Sequence, residues 1–138
     1  MFARVMRWAY VRYGWIILAA VVVQFFLAGM GVFVGASNFP MHASFGYTIS
    51  FLRLLGLLLA FAARLPWRTI GLTALLPVLV GLQSFFIAFW HSALSGLAAR
   101  HVLNGLAIFT LTGPLALRSL RYVAAQEPAP TAAGAPAR

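Results

Sequence analysis

The stretches QFFLAGMGVFVGASNFPMHASFG (Gln24–Gly46) and QSFFIAFWHSALSGLAARHVLNG (Gln83–Gly105) decide the fold. Each reads glutamine, seventeen residues, histidine, three residues, glycine. The second copy lies 59 residues after the first, and the same offset pairs Trp8 with Trp67, Phe26 with Phe85 and Ile49 with Ile108. A fixed offset that recurs across several residue types indicates internal duplication. Each half then forms one hairpin of two helices, with the glutamine on its first helix and the histidine at the start of its second.

The chain around these stretches is hydrocarbon-rich: of 138 residues, 63% are hydrophobic and 8% charged. Soluble domains average about 45–50% apolar and about 25% charged residues. The composition indicates an all-α membrane protein of one domain. A spanning helix needs about 20 mostly apolar residues, and four segments qualify, at about 15–35, 41–63, 69–90 and 101–120. They predict four transmembrane helices in an antiparallel bundle with a two-fold internal repeat, occupying residues 1–125. The first segment exceeds a signal peptide's usual apolar core of roughly 7–15 residues and lacks a small-residue cleavage site, so it reads as a retained span. Residues 126–138, QEPAPTAAGAPAR, are rich in proline and alanine without apolar periodicity and predict a disordered tail. Pro77 and Pro114 fall inside the third and fourth helices, where kinks are expected.

Ten basic residues, all arginine, stand against one acid, Glu127. Arg4, Arg7, Arg12, Arg64, Arg68, Arg118 and Arg121 flank one set of helix ends, and Arg100 alone flanks the other. By the positive-inside rule both termini, and the tail, are cytoplasmic. Trp8, Trp15, Trp67 and Trp90 fall near the expected interfaces. The arginines form no solvated basic face, so no nucleic-acid partner is expected. The single acid, in the tail, excludes carboxylate pairs and intramembrane carboxylate relays. With no cysteine, disulfides, thiolate metal sites and cysteine nucleophiles are excluded as well.

The two halves share one topology, so their relating axis is expected to lie along the membrane normal. Equivalent helices sit diagonally in such a bundle. His42 and His101 would then face each other near the outer surface. Two imidazoles facing across a bundle suit the axial positions of one haem b. On this reading His42 and His101 are the metal ligands, and Gly46 and Gly105, one turn deeper, leave room for the porphyrin edge. Helix N-termini favour neutral, ligating imidazole and attract anions, so the propionates would lie near Arg100. A second reading stands beside this one. The glycines allow close helix approach, and the histidines bond to water at the interface. Another metal is a third option, with His91 as the further ligand; His91 has no repeat counterpart and reads as a solvated loop residue.

Gln24, Gln83 and Arg53 are expected near the bilayer centre as an intramembrane polar site. There the glutamine carbonyls would accept from the guanidinium. The position equivalent to Arg53 is Thr112, so this feature breaks the repeat. It either holds a quinone carbonyl or fixes helix register.

The pattern resembles a family of small, uncharacterised four-helix bacterial membrane proteins. These carry glutamine in helices 1 and 3, here QFFLAGMG and LQSFF, and histidine at the starts of helices 2 and 4, here HASFG and HVLNG. The architecture is also similar to half of haem A synthase and to a cytochrome b561-type bundle. This chain departs from the latter in having no second histidine pair at the inner ends. The resemblance implies a multi-pass protein of a bacterial cytoplasmic membrane. Two functions follow as expectations. The first is a b-type haem protein with a single bis-histidine haem near the outer face, exchanging electrons with a quinone or a periplasmic partner. The alternative is a cofactor-free structural or accessory subunit of a membrane complex. The sequence leaves the oligomeric state open. A transporter fits less well, because Pro77 and Pro114 do not match at the repeat offset.

Overall fold

The computed structural model describes residues 1–89, 91 and 93–124. The expected tail, 126–138, and Trp90 lie outside the described residues. Among those described, the fold is all-helical, with four long helices. These are α1 (Phe2–Gly29), α2 (Phe39–Ala62), α3 (Trp67–Ile87) and α4 (Arg100–Ala124). A π turn, Met30–Val34, prolongs α1, and 3₁₀ turns at Ala36–Asn38 and Ser95–Leu97 lie in the α1–α2 and α3–α4 connections. α1 begins well before the expected span, because the arginines that mark a membrane edge are also good helix formers. α3 and α4 run through Pro77 and Pro114 without interruption.

The helix breaks have local causes. Gly35 adopts φ 157°, ψ 146°, a conformation essentially reserved for glycine, and it ends the π turn. α2 ends in a Schellman motif. The Leu65 N–H donates to Ala60 O (3.2 Å) and the Arg64 N–H to Phe61 O (2.9 Å). Arg64 takes the left-handed position (φ 52°) that glycine usually fills. Leu65 and Ala60 are buried together in one cluster, the apolar contact that accompanies this motif. Pro66 then caps α3.

α1 and α3 each pack against both α2 and α4, so the helices form a bundle. Its main core joins Ile17, Val21, Ile49, Leu76, Val80, Ile108 and Leu115. Burial follows the repeat offset. Tyr10 and Thr69, Val11 and Ile70, Ile17 and Leu76, Val21 and Val80, Ile49 and Ile108, Arg53 and Thr112, and Ala60 and Ser119 are buried in pairs. The outer surface is strongly apolar: Phe51 is 79% exposed and Phe33 89%. Polar groups meanwhile line the interior, at Thr69, Thr73, Asn104, Thr112 and Ser119. Water disfavours that arrangement and lipid favours it.

Three segments are long and apolar enough to cross a membrane: Phe2–Val34, Ala36–Ala62 and Trp67–Ile87. The chain is therefore suited to embedding in a membrane. α4 was expected as a fourth span. It has the length but carries Arg100, His101, Asn104, Arg118 and Arg121 along it.

The start of α1, the α2–α3 turn and the last turns of α4 meet at one end. There Arg7 Nε donates to Ala63 O (3.2 Å) and Arg7 Nη1 to Tyr122 O (3.5 Å). The glutamine–histidine pairs lie toward the opposite end.

Candidate functional site

His42 stands in the first turn of α2 and His101 at the second position of α4. Both are partly buried. Their rings face each other with centroids 5.9 Å apart and planes at 63°. The expected juxtaposition is therefore present in the structure.

Each ring is anchored to the glutamine of its own half. His42 Nδ1 lies 3.1 Å from Gln24 O, and His101 Nδ1 lies 3.2 Å from Gln83 O. A carbonyl oxygen only accepts, so each Nδ1 carries the proton and donates. The Nε2 lone pair of each ring is left as the basic site. Both bonds span 18 residues. The helix carbonyls of Gln24 and Gln83 can take this second donor because each has two lone pairs.

The glutamine side chains complete two unequal clasps. Gln24 Nε2 donates to His42 O (3.0 Å), so side chain and backbone of one residue grip both the ring and the carbonyl of the other. In the second half Asn104 intervenes. Its Nδ2 donates to Gln83 Oε1 (2.7 Å) and to Leu79 O (2.6 Å). That bond turns the Gln83 amide so that its nitrogen faces His101 Nε2 at 3.5 Å, the outer limit of a hydrogen bond. Asn104 was not singled out from the sequence. An amide three residues after His101, next to Gly105 in an apolar stretch, was the available signal.

Gly46 and Gly105 both lie against these clasps. A Cβ on Gly46 would come within 2.6 Å of Gln24 Nε2. A Cβ on Gly105 would lie 3.5 Å from Gln83 Nε2 and 3.7 Å from the Phe25 ring. The space the glycines leave is thus occupied by side-chain ends. Arg100, expected beside the propionates, is exposed at the first position of α4.

Arg53 does not join the glutamines. It is 5% exposed, its Nε is buried without a hydrogen-bond partner among the described residues, and its electrostatic neighbour is Tyr13. The Tyr13 ring fits against Gly56, where a Cβ would come within 2.4 Å of it. Among the described residues Gln24 Oε1 is likewise buried without a hydrogen-bond partner. The expected single polar layer of Gln24, Gln83 and Arg53 is corrected to two separate levels. The reason is a lopsided first hairpin: α1 and its π turn continue from Gln24 to Val34, whereas α2 starts at Phe39. Gln24 is therefore level with His42, and Arg53 lies three helical turns deeper.

Among the described residues no group of three or more histidine, cysteine or acidic side chains is positioned to hold a metal ion. His91, read from the sequence as a loop residue and offered as a further ligand only for another metal, is exposed in the α3–α4 connection.

No curated protein and no solved structure matches the chain. The likeness to haem A synthase and b561-type bundles therefore rests on the sequence pattern alone. A family model does match residues 24–93, from the first glutamine through Gly46, Arg53 and Gln83 to the α3–α4 connection. That match spans half of the chain, and the protein belongs to this family, a family of unknown function designated DUF6220.

Proposed function

We propose that the protein is a membrane-embedded b-type haem protein whose single haem is held by His42 and His101. One observation carries this reading. Two imidazoles from different helices meet edge-on with centroids 5.9 Å apart, each with Nδ1 tied to a backbone carbonyl, so that Nε2 is the nitrogen with a lone pair to offer. Metal-ligating histidines characteristically donate their second nitrogen in this way. The donor set also favours haem over a bare ion. Haem iron brings four donors of its own, so two protein ligands complete its coordination, and among the described residues no group of three histidine, cysteine or acidic side chains is placed to hold an ion.

Bound there, the haem would supply one-electron exchange. The chain's contribution is to fix both imidazole tautomers and hold the rings on α2 and α4, with the Phe25 ring packed beside Gly105. Loading requires the Gln83 amide and the Phe25 ring to swing aside; both are side-chain ends rather than backbone. The redox partner is a quinone or a periplasmic protein.

The reading includes an antiparallel four-span bundle with a two-fold repeat along the membrane normal. Its support is the paired burial at the 59-residue offset and the matched histidine-to-carbonyl bonds. α4 serves as the fourth span because its middle exposes apolar side chains (Val102, Leu103, Leu106, Leu117) while Asn104, Thr112 and Ser119 turn inward, and its exposed arginines stand at its two ends. The arginine-rich end with both termini is cytoplasmic, which places the histidines near the outer surface.

A second reading has its own observation. Gln24 and Gln83 already engage the two histidines, so the clasps by themselves lock each hairpin in register, as a cofactor-free accessory subunit would need. A visible spectrum of protein purified after expression with ample haem separates the two. A low-spin b-type spectrum supports the first, and a colourless protein supports the second.

A further inference from the structure

At the arginine-rich end an open pocket of about 350 Å³ lies between the start of α3 and the last turns of α4. Pro66, Arg68 and Thr69 form one wall, and Arg118, Arg121 and Tyr122 the other. Arg118 and Arg121 are one turn apart on α4 and project from the same face. All three arginines are exposed at the pocket, while Thr69 is buried and hydroxyl-bonded to Tyr122 across its floor. We infer that this pocket binds the phosphate of an anionic phospholipid headgroup.

Three features of the molecule lead there. The first is charge. The chain has a single acid, Glu127, which can balance at most one of the three guanidinium groups that line the pocket, so the remaining counter-ion comes from outside the protein. The second is donor geometry. Guanidinium forks and hydroxyls are the groups that hold phosphate oxygens. The third is the rim. Trp67, Leu117 and Leu120 are exposed next to the pocket residues along α3 and α4, so a headgroup held by the arginines leaves its acyl chains against an apolar surface. Basic pockets between helices at the arginine-rich side of a membrane protein take lipid headgroups in this manner.

The experiment uses the full chain in mild detergent, supplied with phosphatidylglycerol and phosphatidylcholine, with retained lipid counted by native mass spectrometry. The expected result is one phosphatidylglycerol retained per chain in preference to phosphatidylcholine. Retention should fall by about tenfold or more in Arg118→Gln/Arg121→Gln. Arg4→Gln/Arg12→Gln, which removes equal charge from α1, should retain lipid like the parent. Arg68→Gln, on the opposite wall, should lower retention several-fold, and it decides the matter if the α4 double variant does not fold. Equal loss in the α1 and α4 variants, or an unaffected Arg68→Gln, would overturn the pocket. Displacement of the lipid by millimolar inorganic phosphate would overturn the lipid and leave a free anion as the occupant.

Discussion

Gly56 and Gly105 look alike in the sequence, each a glycine on a helix of an apolar bundle, but their surroundings differ. A Cβ on Gly56 would press on the ring and hydroxyl of Tyr13 at 2.4 Å. A Cβ on Gly105 would make ordinary contacts at 3.5 Å and beyond. Gly56→Ala is therefore expected to destabilise by about 1–3 kcal/mol through overpacking, whereas Gly105→Ala should be close to neutral. Thermal midpoints of the two variants in one detergent check this, and equal shifts would contradict the packing described. At this scale the sequence was only partly informative. The spacing of His42 and His101 announced a matched pair, because a repeat carries position with it. The partner of Arg53 was not legible, because its depth was inferred from a symmetric hairpin and the first hairpin is not symmetric. Nor was the use of Gly46 and Gly105. A glycine states that room is left and does not state what fills it, here the glutamine amides.

The helix ends set the geometry between elements. α2 stops in a Schellman motif that places Arg64 at φ 52°. A left-handed conformation costs a non-glycine residue roughly 1 kcal/mol or more. Part of that is recovered by the freedom an arginine gives up less of than glycine on folding. Arg64→Gly is expected to stabilise the protein by up to about 1 kcal/mol, read as a raised thermal midpoint, and a lowered midpoint would show that the arginine side chain contributes more than its backbone costs. Such a turn is hard to read from sequence because arginine is an unusual occupant of that position. Pro66 was the visible signal, and it marks where α3 starts rather than how α2 ends. The α1 boundary was displaced for a related reason. Hydropathy locates the apolar stretch, but helical hydrogen bonding continues through Arg4, Arg7 and Arg12 to Phe2.

For the whole molecule, an exposed apolar exterior around a partly polar interior, with three segments suited to crossing a membrane, follows directly from composition. It was the most legible property of the chain. The proposed topology adds that the arginine-rich end faces the cytoplasm. Reporter fusions after Ala124 and in the α1–α2 and α3–α4 connections are expected to report a cytoplasmic C-terminus and outer connections. A C-terminal reporter on the far side would mean that α4 does not cross, and would remove the shared depth of the two histidines. The central claim is that the two anchored imidazoles hold one haem, and the visible spectrum of the purified protein and its variants tests it most directly. The account predicts a low-spin b-type spectrum at one haem per chain, loss of six-coordinate binding in both His42→Ala and His101→Ala, and no change in His91→Ala. A protein that stays colourless with ample haem, or a spectrum that survives both single replacements, would contradict it.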